Sequence, residues 1–490
     1  MKRQSTTKSK RMKYRFRRGG KLPKHLECIN ENAAGIDVGS REHYVCVPDD
    51  RDAQPVRTYG CYTPDLEAMA QWLRDCGIHS VAMESTGVYW IPVYRVLEAH
   101  GLEVHLVNAR HVKYVPGRKT DVLDCQWLHK LHTFGLLSGS FVPSHDINAL
   151  RTYRRQRKNL VQSASREIQH MQKAMTQMNL HLHVVLSDIS GVTGMKIIRA
   201  IVDGERDPEK LATLRHPSVR KSAGEIAKAL TGHYRDEHIF ALTQAVELYD
   251  VYQDKIADCD RQIEQRLSQF ETKADPCELK DAPSKSNKRR RRKNEPHFDL
   301  RSELYRITGV DLTQIPGIDA MTAFTVISEC EIHAFPTVKQ FASWLGLSPN
   351  NAITGGVIHR RSTKTVYNHI AGALRMAAQS LHRSTSYLGA YYRRKRQRLG
   401  APKAITATAH KLARLIYGML TQGQDYIERG QQQEEREYQE RRIHYFIKGL
   451  TEMGLEVLNP ETGEILTGPQ DPENSKNVTA ENKELKPCVS

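Results

Sequence analysis

The sequence predicts an α/β domain with a mixed sheet, then a long coiled-coil arm, then a mostly α-helical C-terminal domain. Three observations carry that expectation. Strand-like and helix-like segments alternate over residues 33–143, a heptad seam runs unbroken from Ile147, and helical periodicity resumes from Leu304 to about Gly423 behind a polar linker. A length of 490 residues exceeds one compact core, and 39% hydrophobic residues can fill two or three.

Residues 1–32 form a basic N-terminal arm. Its first 24 positions hold eleven Lys or Arg and no acid, and the run KRRRRK, Lys288 to Lys293, holds six more; together they equal the formal charge of +17. The basic character therefore sits in two blocks on a balanced body. Such blocks bind polyanions by counterion release or simply solubilise the chain. Nucleic acid is the better match, because the arm lacks the Trp, Phe or Leu face of a membrane-surface helix. No secretory signal follows the basic N-terminus, and no 18-residue apolar stretch could span a bilayer. Nine scattered cysteines without a C-x-x-C pair argue against a zinc site or a disulfide framework and suit a reducing cytoplasm.

Within residues 33–145, AAGIDV and YVCVP read as strands flanking GSREH, a hairpin. VRTYGCYT is a third strand, Asp65 to Cys76 a helix, SVAMEST a strand, Tyr89 to His100 a helix and EVHLVN a strand. A helix carrying Asp121 and Asp124 follows. A three-strand meander leading into alternating helix and strand makes a mixed sheet. In residues 146–270, positions 147, 150, 154, 157, 161, 164, 168, 171, 175, 178 and 182 step by three and four. All are apolar except Arg154 and Arg157, whose place on an apolar seam points to RNA or DNA contact. A second helical stretch, His238 to Phe270, pairs with the first as an intramolecular antiparallel hairpin, as a subunit contact, or as both. Residues 271–303 are a basic linker, 304–428 a helical domain, and 429–490 a charged helix with a disordered tail.

The chemistry gathers on acids. Asp37 ends the first strand in GIDVGS, and Glu84 ends a later strand in AMESTG. Strand ends in an α/β sheet are neighbours, and ligands bind in the crevice outside them. Asp121 and Asp124, in RKTDVLDC, share one helix face, where two carboxylates repel unless a cation lies between them. Singly, each acid is more often a turn or surface residue. Four converging carboxylates would be strongly destabilising alone, but would suit two Mg²⁺ ions of a phosphodiester-cutting site. An acid on strand one, an acid on strand four and D-x-x-D on a later helix is the RNase H-like arrangement.

GIDVGSREHYVCVP, AMESTGVYWIPVYRVLEAHGLEVHLVNARHVKYVPGRKTDVLDCQWL and the later IPGIDAMTAFTVISE, FASWLGLSPNNAITGG and YYRRKRQRLGAPKAITATAHKLARLIY resemble the DEDD-type transposases of bacterial insertion sequences. These are Piv- and MooV-like, bridge-RNA-guided recombinases. The resemblance covers residues 33 to 428. It implies a RuvC-like nuclease domain with Asp37, Glu84, Asp121 and Asp124 as its metal-binding quartet, and a C-terminal transposase domain. It further implies DNA as substrate, a guide RNA, a dimer or tetramer, and a cytoplasmic, nucleoid-associated setting. The family's catalytic serine stands in an I-S-G-G context where this chain has Thr354; a threonine hydroxyl can attack, but its methyl group restricts it. A working Thr354, a weakened enzyme and a substitute such as Ser362 remain open.

Other candidate nucleic-acid contacts are Arg118 and Lys119 before the acidic helix, and Gly317 in IPGIDAMTA, which resembles a helix-hairpin-helix turn with Asp319 in place of a glycine. Gly355, Gly356, Arg360, Arg361 and Lys364 follow Thr354, and Arg393, Arg394, Lys395 and Arg396 sit beside two tyrosines on a helix. Two other functions fit parts of the pattern. A Holliday-junction-resolvase-like nuclease would use metal-activated water and need no hydroxyl near residue 354. A non-catalytic nucleic-acid-binding protein would not need all four acids.

Overall fold

The computed structural model describes residues 28–85, 87–108, 121–137, 139–279, 294–360, 362–364 and 366–424, with isolated positions from 426 to 453. Residues 1–27 of the basic arm, Arg118, Lys119, the KRRRRK run, Arg361 and the C-terminal tail lie outside the described residues. So do the side chains of Asp121 and Arg360. The chain divides into two compact units, Met1–Val142 and Pro143–Ser490.

The first unit contains β1 (Ala33–Val38), β2 (Glu42–Cys46), β3 (Val56–Gly60), α1 (Thr63–Asp75), β4 (Ser80–Glu84), α2 (Trp90–Ala99), β5 (Glu103–Val107) and α3 (Asp121–Thr133). The sheet order is β3-β2-β1-β4-β5, antiparallel across the meander and parallel across β1, β4 and β5. Strand alternation explains its two faces. Ala34, Ile36 and Val38 of β1 and Val81 and Met83 of β4 join Leu66, Met69 and Leu73 of α1 and Val93 and Leu97 of α2 in one core. α1 starts with Pro64 in its first turn and places Asp65 there and Arg74 in its last turn, charges that suit the helix dipole. The opposite face takes α3, with Val107 against Leu128. A mixed five-stranded sheet in this order, leading into a mostly helical remainder, fits an RNase H-like DEDD domain.

The second unit opens with α4 (His145–Gln177). A small module follows, made of α5 (Leu182–Val185), α6 (Val192–Val202), α7 (Pro208–Thr213) and α8 (Ala223–Leu230), before α9 (Asp236–Ser268). α4 and α9, each of 33 residues, run antiparallel: Arg266, at the end of α9, donates to Asp146 at the start of α4 at 2.5 Å. Met171, Met175 and Met178 bury against the module's Ile197, Ile198 and Leu230. All eleven seam positions are buried or half-buried. Next come α10 (Leu300–Thr308), α11 (Ala320–Glu329), α12 (Val338–Trp344), a two-stranded ribbon of β6 (Ala352–Thr354) and β7 (Val357–Arg360), α13 (His369–Ser380), α14 (Tyr387–Leu399) and α15 (Ala401–Gln422).

The seam arginines correct the sequence reading. Arg154 and Arg157 are 5% and 3% exposed, and neither is a surface phosphate contact. Arg154 pairs with Glu329 of α11, and Arg157 pairs with Asp260 of α9. A guanidinium tolerates an apolar seam when a carboxylate meets it there. Arg155 also reaches Glu329, at 2.6 Å, and Arg151 at 3.3 Å, so one acid gathers three arginines of α4. This joins the helical arm to the later helices within one unit, where the sequence had separated residues 146–270 from 304–428.

Burial alone would raise the Glu329 pKa, but the guanidiniums of Arg155, Arg154 and Arg151 outweigh it and hold the carboxyl below its ordinary value. The stability it contributes is therefore present above the ordinary glutamate pKa and lost as pH falls through the lowered one. Glu329→Gln should cost about 3–5 kcal/mol in urea unfolding at neutral pH, because the arginines stay buried without their counter-charge. The difference between variant and parent should shrink on acidification below about pH 4.

Candidate active site

The acids of the first unit are positioned by where α3 lies on the sheet. Gly35 is the contact point. A Cβ built there would stand 2.3 Å from both the Cys125 carbonyl oxygen and the His129 nitrogen, so helix backbone rests directly on strand backbone. Only glycine permits that approach. Asp37 follows Gly35 by one strand repeat and lies on the same, α3-facing side. On β4, His132 Nε2 stands 3.0 Å from Ser80 Oγ, which assigns Ser80, Ala82 and Glu84 to that face as well.

The direction of α3 follows from the same contacts. Its C-terminal end meets the strand starts: Ile29 donates its N–H to the Thr133 carbonyl at 2.9 Å, and Asn30 donates to the His132 carbonyl at 2.7 Å. Its N-terminal end therefore points to the carboxyl ends of β1 and β4. From Ser80 to Glu84 the strand rises about 13 Å, and from His132 back to Asp124 the helix rises about 12 Å. Asp124 is thus level with Glu84. Ile36 is registered with Met83, so the next positions, Asp37 and Glu84, sit side by side on parallel strands. Asp121, the first residue of α3, is one turn further toward the same edge.

Glu84 is 7% exposed and Asp124 9%, with Asp37 half-buried. An acid in a helical first turn suits the dipole, but that preference does not require burial. Among the described residues no three His, Cys, Asp or Glu side chains stand close enough to hold a metal; Asp121's side chain is outside that set. The donor chemistry still fits a hard divalent cation. It consists of carboxylate oxygens on three elements, two of them buried, at the edge where open α/β sheets bind ligands.

Beneath the acids lies a thiol pair that the sequence reading missed. Cys46 of β2 and Cys125 of α3 are hydrogen-bonded, and Cys46 Sγ is 3.8 Å from His129 Nδ1. The bond to Cys125 lowers the Cys46 pKa, with His129 adding to it. Cys125 is pushed up by the same bond and by burial, the nearby Asp37 charge contributing. The visible signal was Cys125 and His129 four apart on the helix that carries both aspartates.

In the second unit, Gly355 and Gly356 have φ of 57° and 78°, the two-residue loop of a hairpin whose strands pair Thr354 with Val357. Thr354 is exposed beside this tip, as are Ile353 and Val357 at 60% and 62%. Ser362, the alternative hydroxyl, sits at the ribbon's base and donates to the Asn350 carbonyl at 3.2 Å. Lys364 is exposed. Gly317, with φ of 91°, serves a turn packed on Leu381, and Asp319 caps α11 by accepting from Thr322 N at 2.9 Å. A carboxylate at that helix start repels phosphate, which favours a plain interhelical turn at Gly317. On α14, Tyr392 is core rather than a stacking platform. Arg393 donates to the Ser384 carbonyl at 2.6 Å, Arg396 bonds His382, and Lys395 lies over the Tyr391 ring at 5.3 Å, while Arg394 is exposed.

A sheet of this order with acids at its parallel strand ends and on the helix across them fits an RNase H-like DEDD domain. Comparison with known families goes further. Residues 34–180 match a transposase model, the DEDD transposase of the IS110 type, and residues 311–393 match the Transposase IS116/IS110/IS902 family. Both matches support an IS110-type DEDD transposase, and these families imply an enzyme that cleaves and rejoins DNA. No curated relative matches it. No helix among the described residues is long and apolar enough to cross a membrane.

Gly35→Ala should destabilise the chain by about 1–3 kcal/mol and lower activity with it, since the helix bearing Asp124 must lift; thermal unfolding and a DNA-cleavage assay read the two effects. His132 supplies a pH signature. Burial, helped by His105 and His129, lowers its pKa to about 4. Unfolded chains protonate histidine near pH 6.5, so stability is full above about pH 6.5 and falls as pH drops toward 4. His132→Asn should flatten that dependence of the unfolding midpoint.

Proposed function

We propose that the chain is a Mg²⁺-dependent recombinase that moves an insertion sequence. Asp37, Glu84, Asp121 and Asp124 would hold the metal, and the Thr354 hydroxyl attacks a backbone phosphorus of DNA. Its oxygen forms a phosphoester with one strand end as the P–O bond to a deoxyribose oxygen breaks, and that leaving oxygen takes up a proton in place of the one the hydroxyl gives up. The observation that carries this reading is the shared level of Asp37, Glu84 and Asp124 at the sheet's carboxyl edge. When bound, divalent cations polarise the scissile phosphate and offset its charge. The chain's own part is to hold four oxygens in fixed positions, with burial of Glu84 and Asp124 keeping water from competing for them. Thr354, exposed beside a Gly-Gly tip, offers its hydroxyl where a DNA backbone can come close. Arg360, Arg361 and Lys364 flank it as phosphate contacts.

The family resemblance adds a structured guide RNA and a dimer or tetramer. By composition the basic arm, the KRRRRK linker, Arg118 and Lys119 are suited to polyanion contact, and the α4–α9 pair is suited to act as an assembly arm.

Asp124→Asn should reduce Mg²⁺-dependent strand cleavage by about a thousandfold or more while leaving DNA binding intact; undiminished cleavage would reject the metal reading. Denaturing gels should trap a covalent protein–DNA adduct that disappears in Thr354→Ala and persists in Thr354→Ser. Cleavage that survives Thr354→Ala without an adduct would assign the attack to water, as in a Holliday-junction resolvase. Sequencing of co-purified nucleic acid should return one structured RNA.

A further inference from the structure

In the second unit, α4 and the starts of α11 and α13 enclose a cavity of about 760 Å³ that the proposed chemistry leaves unused. Its size is that of a ligand site. Its apolar lining is Val161 of α4, Met321 of α11, and Ala373 and Met376 of α13. Between them stand the neutral hydrogen-bonding groups of Gln162, Asn294 and Thr322, and two carboxylates, Glu295 and the helix-capping Asp319, which accept hydrogen bonds and repel phosphate. Arg154 and Arg157 also line it, but Glu329 and Asp260 already balance their charges. A phosphate would gain little inside. A flat heteroaromatic ring with polar edges would find both kinds of contact it needs.

The mouth adds an aromatic plate and a cation. Tyr367 is 90% exposed and stands edge-on to His369, ring centroids 5.3 Å apart. Lys158, also exposed, has its Nζ 3.3 Å from His369 Nδ1. An apolar slot beside an aromatic ring and a lysine takes a base inward and leaves its phosphate at the rim. Tyr367 lies three residues beyond Lys364 in the chain, close in sequence to the ribbon proposed for backbone contact.

We infer that this cavity receives one unstacked nucleobase of a single DNA strand. The inference rests on the DNA-transposase reading for the identity of the polymer and extends it to a specific pocket. Binding there needs no metal, so its test is independent of the carboxylate site. A second copy of the chain, or RNA, is a competing occupant that the same test separates.

The test uses the full chain, without divalent ions, titrated into a single-stranded DNA of about a dozen nucleotides carrying one central 2-aminopurine. An RNA of the same sequence runs in parallel. Two variants probe the slot without threatening the fold. Gly372, exposed on α13 and lining the cavity, meets nothing within 4 Å when given a Cβ, so Gly372→Phe fills the space; Tyr367→Ala removes an exposed ring. The parent should bind the DNA with a change in 2-aminopurine fluorescence. Both variants should melt like the parent, lose that change and bind about tenfold more weakly. Overturning results are a parent that does not bind the DNA, variants with undiminished affinity and signal, or a response to the RNA alone. A Gly372→Phe chain with altered sedimentation but unchanged DNA binding would equally overturn it and assign the slot to a second copy.

Discussion

The first unit depends on a backbone-to-backbone contact at Gly35. Any side chain there would strike the Cys125 carbonyl and the His129 nitrogen, so α3 could not lie on β1. Because it does, the helix is fixed in height as well as direction, and fixing its height is what brings Asp124 level with Glu84. The thiols and imidazoles packed under it, Cys46, Cys125, His129 and His132, fill the interface with small polar groups that bond one another rather than with bulk. A larger apolar layer would hold the helix further from the sheet, and the acids with it.

The second unit is held by a different kind of contact. Its longest helices bury methionines and leucines along most of their length, but where α4 meets α11 the seam turns ionic, with Glu329 facing three arginines. Buried charge of that kind is weak evidence for stability and better evidence for a unique arrangement, since a slipped helix would leave charges uncompensated. The same ion pairs neutralise one wall of the cavity beside them. Internal pairing there sets this cavity apart from the Thr354 ribbon proposed to meet phosphate, and leaves it suited to a neutral ring.

Much of this was legible in the sequence. The strand and helix order of residues 33–133 follows from alternation and periodicity, and the four acids stand out as candidates because strand ends and an i, i+3 pair have defined places in an α/β sheet. The ribbon around Gly355 and Gly356 was not read from the sequence, which placed residues 304–428 in a helical domain; its strands are only three and four residues long, too short to show an alternating pattern. Arg154 and Arg157 were misread because a seam arginine looks the same whether it waits for RNA or is already paired, and its partners, Glu329 and Asp260, lie over a hundred residues away. Gly317 has a related ambiguity: a glycine turn before a helix resembles a phosphate site, and here the neighbouring Asp319 caps the helix itself. The Gly35 contact had no local signature, since a glycine inside a strand reports only that something approaches closely.

The decisive measurement is anomalous diffraction from crystals of the full chain soaked in Mn²⁺ as a probe for the divalent site. A peak within about 2.0–2.6 Å of carboxylate oxygens of Asp37, Glu84 and at least one aspartate of α3 is expected, those being the distances of hard-cation ligands. Manganese bound only elsewhere, with Asp37, Glu84 and the α3 aspartates directed into separate regions of solvent, would contradict it.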